Sequence, residues 1–228
     1  MILVVGMSRP KEYFEGAVPS RFVGRAERMT GHPVLIAHYS MVTPDWLERY
    51  PLRAVFIEGF GYGWQDFDVH SAVGLWDFLH VVEVPLLAAC GGHQLLGYAF
   101  TRDFRRIKGL SNNFIRRLRP GEPDLAPTYY PGQFAEFGVF PVQIVKRDPL
   151  FRGLPKTILV PEAHACEVAA LPPDFELLAT NENCRIQAMR HKIKPIYGTQ
   201  FHAENWSDHY SHGERIIRNF FSLAGLIT

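Results

Sequence analysis

Two stretches carry side chains whose chemistry depends on a partner: Cys90 in one, His202 and Glu204 in the other. The first reads Pro85-Leu86-Leu87-Ala88-Ala89-Cys90-Gly91-Gly92-His93-Gln94-Leu95-Leu96. An uncharged apolar run ends abruptly at Cys90, two glycines follow, and a new apolar pattern begins. This predicts a buried strand, a sharp turn bearing the cysteine, and the first turn of a helix. Serine hydrolases present a nucleophile at a strand end in the same way, with small neighbours because the turn leaves little room. The partial positive charge of a helix amino terminus beside the sulfur favours thiolate over thiol. Taken alone, the stretch also fits a buried free cysteine packing as a small hydrophobe.

The second stretch, Pro195-Ile196-Tyr197-Gly198-Thr199-Gln200-Phe201-His202-Ala203-Glu204, reads as a short strand ending in the histidine and the carboxylate. Residues two apart on a strand face the same side. Glu204 can therefore hold the His202 ring, fix its tautomer and favour its charged form. A plain surface pair is the competing reading. Cys90 and His202 lie far apart in the chain, each at a strand end, as a nucleophile and its base do.

Together these stretches resemble the nucleophile motif and the histidine–glutamate motif of the class I (triad-type) glutamine amidotransferases. Weaker echoes follow in the family's order at Glu136-Phe137-Gly138, at Asp148 to Pro155 and at Ala163-His164-Ala165. Ala88 stands where the family usually has glycine and Ala203 where it usually has proline; both replacements are small. The resemblance implies a flavodoxin-like fold and Cys90, His202 and Glu204 as the catalytic residues. It implies oxyanion donors at Gly91 and in the glycine-rich loop Glu58-Gly59-Phe60-Gly61-Tyr62-Gly63, assigned to Gly59. It further implies substrate contacts from Gln94 and from backbone groups of Ala165 and Cys166. No metal and no organic cofactor is required by it.

To hold these side chains, 228 residues with 47% hydrophobic content suit one packed α/β domain spanning 1–228. The strand, helix, strand, helix spacing of the first half predicts a doubly wound, mostly parallel sheet flanked by helices. Its strands fall at Ile2–Val5, Val34–Ala37, Arg53–Ile57 and the run before Cys90. Residues 7–19 read as a loop. Ser20 is a candidate cap for a helix carrying Phe22, Val23, Ala26 and Met29. Asp68 is a candidate cap for the helix carrying Trp76 and Leu79, and Trp46-Leu47 fits a short helix. Short strands at Val139–Val145, Thr157–Val160, Glu176–Ala179 and Ile186–Met189 predict a mostly antiparallel extension. Ser211 and Glu214 have the spacing of a capping box for the last helix.

The net charge of +1 argues against a dedicated nucleic-acid binder. Three cysteines, Cys90, Cys166 and Cys184, have no metal-ligand spacing and leave one unpaired in any disulfide scheme. The amino terminus lacks the pattern of a signal peptide, and no apolar run approaches the roughly 20 residues of a membrane span. A cytoplasmic setting is expected. Between Arg102 and Arg119 seven bases stand against the single acid Asp103, which fits a solvated face or a docking surface. Beyond it, Pro120, Pro123, Pro127, Pro131 and the Tyr129-Tyr130 pair mark a long loop of the kind that forms lids.

The expected activity is hydrolysis of the glutamine side-chain amide through a Cys90 thioester. Because the amidotransferase elements run to about Gly225, the ammonia is expected to go to a separate synthase partner. The rival expectations are a γ-glutamyl hydrolase or peptidase acting on another γ-glutamyl amide, and a catalytically silent regulatory relative.

Overall fold

The computed structural model describes residues 1–16 and 21–228. Five strands form its parallel part: β1 (Ile2–Gly6), β2 (Val34–His38), β3 (Ala54–Ile57), β4 (Leu86–Ala89) and β9 (Ile196–Thr199). Four others, β5 (Glu136–Ile144), β6 (Thr157–His164), β7 (Phe175–Thr180) and β8 (Ala188–His191), extend it antiparallel. The order across the sheet is β2-β1-β3-β4-β9-β8-β7-β5-β6. The expected doubly wound sheet with an antiparallel extension is therefore what forms.

Alternation along the central strands builds two cores, one on each face. Leu3, Val5, Val55, Ile57, Leu86 and Ala88 turn to one side. There they meet α4 (Val73–Val81) and α5 (Gly91–Ala99). Ile2, Val4, Phe56, Leu87 and Ala89 turn to the other. They meet Phe22 and Ala26 of α2 (Arg21–Thr30) and Ile216, Ile217, Phe220 and Phe221 of α6 (His212–Leu223). Each large side chain among them contributes on the order of 1.5–3 kcal/mol through burial. The sheet is thus held between two apolar layers, and the carboxyl ends of β3, β4 and β9, neighbours in parallel, open on one edge. In doubly wound sheets that edge is where ligands bind.

Four local expectations are corrected. Residues 10–15, expected as loop, form the short helix α1 (Pro10–Glu15); Pro10 takes the first helical position, where a missing N–H costs nothing. Asp68 caps the turn before α4, accepting from the N–H groups of His70 and Ser71, rather than the helix itself. Ser211 makes no capping bond to α6, and Glu214 instead pairs with Arg218 one turn on. The strand of the second motif stops at Thr199, and His202 and Glu204 stand on a single 3-10 turn beyond it. The Ser20 cap lies outside the described residues. Trp46–Arg49 is the short helix α3, as expected. Among the described residues no helix is long and apolar enough to cross a membrane.

Candidate active site

Cys90 sits between β4 and α5 with φ of 49° and ψ of −108°. Among the described residues it is the sole non-glycine with positive φ. Such a conformation costs about 1–3 kcal/mol and persists where the surroundings impose it. Here the Cys90 N–H donates to the Thr199 carbonyl at 2.8 Å, and the Cys90 carbonyl accepts from the Gln94 N–H at 3.0 Å. One bond ties the turn to β9 and the other starts α5. The sulfur is thereby lifted toward the sheet edge at the amino terminus of a helix.

The segment that follows β9 supplies the histidine. The His202 N–H donates to Pro161 O at 2.8 Å, and the ring Nδ1 donates to Glu204 Oε1 at 2.6 Å. Burial disfavours imidazolium at His202, but Glu204 and the neighbouring Cys90 sulfur outweigh it, raising the pKa well above the usual value. The 3-10 turn that brings Glu204 back to the ring is clamped from α2. Arg25 donates to the Glu204 carbonyl at 2.5 Å and to the Trp206 carbonyl at 3.1 Å, and it stacks on the Trp206 ring.

Gly59, in the loop after β3, closes the third side. A methyl placed on Gly59 would lie 3.1 Å from Cys90 Cβ, 3.1 Å from His202 Cε1 and 3.5 Å from the Gly91 nitrogen. A methyl on Gly91 would lie 3.2 Å from the Phe60 nitrogen and strike the Phe60 ring. Both glycines are therefore required by close approach rather than by backbone freedom. Among the described residues the N–H groups of Gly59, Phe60, Gly61 and Gly91 donate to no protein acceptor. The Phe60 N–H, which the glycine pattern alone does not single out, lies beside Gly91.

These groups face a cavity of about 460 Å³. Ala126, Tyr129 and Tyr130 of the long loop form part of its wall. That loop is ordered by its own bonds: Asp124 accepts from the N–H groups of Ala126 and Gly132, and Glu122 takes both Arg116 guanidinium arms. Ala165 and Cys166 line the cavity too. Their carbonyls are already used, by Ile115 N–H and by Gln94 and His164, whereas their N–H groups have no protein acceptor among the described residues. Gln94 also reaches the cavity, but its carboxamide is bound on all sides by Trp64, Cys166 and Gln200. The cysteines away from the elbow differ in setting from Cys90. Burial pushes the Cys166 thiol up to about 12 and the Cys184 thiol well above its ordinary value. His93, buried against Ile186 O, is lowered to about 3 by burial and stays neutral.

His164 of the cavity wall is the centre of a buried charge cluster that no local sequence pattern reveals. His164 Nδ1 donates to Cys166 O at 2.8 Å, and Nε2 donates to Glu136 Oε2 at 3.0 Å, with Glu162 Oε2 at 3.2 Å. Asn181, Asn183 and Gln187 complete the shell around Glu136. Burial disfavours the cation at His164, but the two carboxylates prevail and raise it to about 10. The three ligand atoms lie within 4.8 Å of one another, a spacing open to a metal ion. Protonated His164 has a proton on both ring nitrogens and offsets one of the two carboxylate charges, while burial raises the pKa of Glu162 and so favours its neutral form. Removing that cation in His164→Gln should cost about 3–5 kcal/mol, since two carboxylates then face each other in the dry interior. The fold favours protonated His164, so its contribution is fully present below the ordinary value near 6.5 and is lost as pH climbs through about 10. Urea midpoints should therefore fall between pH 6.5 and 10, with a flatter decline in His164→Gln. His202 adds to the slope in both proteins.

Fold and site together define a doubly wound α/β protein with a cysteine at a strand–helix elbow, facing a histidine held by a glutamate. The family model for Glutamine amidotransferase class-I matches residues 46–224. The chain belongs to the class I glutamine amidotransferases. It is 38% identical over 142 residues to a glutamine-hydrolyzing GMP synthase subunit from Pyrococcus abyssi, covering 62% of this chain and 61% of that one. For the same subunit from Thermococcus kodakarensis the identity is 37% over the same coverage. The chain thus spans about three fifths of the length of these relatives. The solved Thermotoga maritima glutamine amidotransferase superposes with a TM-score of 0.59 at 18% identity, over 99% of this chain and 94% of that one. The glutaminase domain of Trypanosoma brucei CTPS with bound acivicin gives 0.65 at 14%, with the same coverage.

Proposed function

We propose that residues 1–228 act as one glutaminase domain that hydrolyses the side-chain amide of glutamine and passes the ammonia to a separate synthase protein. The observation that carries this is that Cys90, His202, Phe60 and Gly91 line one cavity, with the N–H groups of Phe60 and Gly91 donating to no protein acceptor among the described residues. His202 takes the thiol proton, and the Cys90 sulfur attacks the amide carbon. The carbonyl oxygen becomes an oxyanion between Phe60 or Gly59 and Gly91, a contact whose loss typically costs about 10²–10³ in rate. The proton moves from His202 Nε2 to the departing nitrogen, ammonia leaves, and a thioester remains. Water, deprotonated by His202, attacks the thioester; glutamate departs and the thiol is restored. Glu204 holds the ring and its charge throughout. The N–H groups of Ala165 and Cys166 suit the substrate's α-carboxylate. Gln94, which lines the cavity, also supports that turn through Cys166 O.

The relatives are named as one subunit of a glutamine-hydrolysing synthase, which supports a partner for this chain as well. The basic stretch is less free than its composition suggests. Arg105 pairs with Asp77, Arg106 with Asp103 and Arg116 with Glu122, so that among the described residues Arg102, Lys108, Arg117 and Arg119 remain exposed and outside any ion pair. Reversal of Arg117 and Arg119 to Glu should lower partner-stimulated glutamate release by about fivefold, mainly through slower association, with basal release near wild type. One observation favours the γ-glutamyl hydrolase reading: Phe60, Tyr62, Trp64, Tyr129, Tyr130 and Phe137 give the cavity an aromatic wall. Glutamate release should be measured with glutamine and with aryl-substituted γ-glutamyl amides, alone and with the synthase. Turnover of an aryl amide by the chain alone at about 10 per second or more would replace the partner reading with the hydrolase one.

A further inference from the structure

A row of buried side chains ends on the Cys90 sulfur. Trp64 Nε1 donates to Gln94 Oε1 at 2.7 Å; Gln94 Nε2 donates to Cys166 O at 2.7 Å and to Gln200 Oε1 at 3.1 Å. Gln200 Nε2 then points at Cys90 Sγ, 3.7 Å away. Trp64, Gln94 and Gln200 are 2%, 5% and 0% exposed, so little water competes for these bonds. The backbones at the two ends of the row are fixed as well: Trp64 N–H donates to Asn112 Oδ1 and Gln200 N–H to Gln187 O.

The direction of the row is dictated by chemistry. A carboxamide can bind either way round, and its neighbours decide which end faces where. An indole N–H can only donate, so Gln94 must turn its oxygen to Trp64. A backbone carbonyl can only accept, so Gln94 must turn its nitrogen to Cys166. Both constraints agree, and together they oblige Gln200 to accept from Gln94. The end of Gln200 left for the sulfur is therefore an N–H and never a carbonyl.

We infer that Gln200 is a further residue of the reaction site, donating an N–H to the Cys90 sulfur, with Trp64 and Gln94 as positioning residues that fix its direction. This rests on Cys90 being the reacting group of the proposed function. A hydrogen bond to a charged acceptor is stronger than one to a neutral acceptor, and more so in a dry site. The Gln200 contact thus strengthens as the sulfur gives its proton to His202 and weakens again as the thioester forms.

The test is alkylation of Cys90 by iodoacetamide, followed by mass spectrometry from pH 5 to 10 in the full chain. Gln200→Met removes the donor. Gln200→Glu keeps the shape and the bond from Gln94 but turns an oxygen to the sulfur. Both should alkylate about tenfold more slowly than wild type at low pH, the size of one charge-assisted hydrogen bond, and reach the same rate at the high-pH plateau. Trp64→Phe should fall between, since Cys166 O still orients Gln94. Wild-type curves in both Gln200 variants would overturn the inference, as would an equal slowing at every pH, which reports altered access. The probe needs no glutamine turnover, so a failure here is separate from a failure to release glutamate.

Discussion

Replacing His202 with Ala should lower kcat for glutamine by about a thousandfold or more, because no other group beside Cys90 can both take and return the proton. His164 cannot substitute: its two nitrogens are committed to Cys166 O and to the buried carboxylates. Glu204→Gln should be nearly as severe, about a hundredfold or more, for a different reason. In the native site the carboxylate accepts from Nδ1 at 2.6 Å, which makes Nε2 the nitrogen that takes the thiol proton and returns it. A carboxamide can offer N–H instead, selecting the tautomer with its proton on the wrong nitrogen. Arg25 holds the backbone of residue 204, so the ring should keep its place and KM should change little. Steady-state glutamate release for both variants checks this, and wild-type kcat in Glu204→Gln would reduce the carboxylate to a structural part.

Gly59→Ala should be comparably damaging although it adds one methyl group. That methyl would stand 3.1 Å from both Cys90 Cβ and His202 Cε1, in the space where the substrate carbonyl must sit. Displacing reacting groups by about 1 Å can cost around a hundredfold, and the methyl also obstructs the oxyanion position. Because it points into the cavity, the melting temperature should stay near that of the wild type. Near-native kcat with lowered stability would place Gly59 among the packing residues instead.

What is legible in the sequence depends on range. The elbow at Cys90, the parallel strands and the helices with an apolar stripe are local patterns, and each forms within a few residues of its expected bounds. For β5 the pattern starts at Val139 rather than Glu136, because Gly138 breaks it; pairing with β6 carries the strand back to Glu136. That register, with Glu136 opposite His164, creates the buried charge cluster, and nothing local announces it. Arg25 reaches Glu204 across 179 residues, from a helix face that reads as ordinary surface. The pairing of His202 with Glu204 holds although its premise does not, since a 3-10 turn and not a strand brings them together. Helical geometry places Gln94 near the nucleophile, but its partners come from three other segments, so its engagement with protein is not legible.

The most direct test of Cys90 as the nucleophile is covalent labelling with a chloroketone analogue of glutamine, read by intact mass and peptide mapping. One adduct should form, on Cys90, with loss of chloride, and glutamine should protect against it. Cys166 and Cys184, whose thiols burial holds protonated, should stay unlabelled. An adduct on Cys166 with Cys90 untouched, or full glutaminase activity in Cys90→Ala, would contradict the assignment.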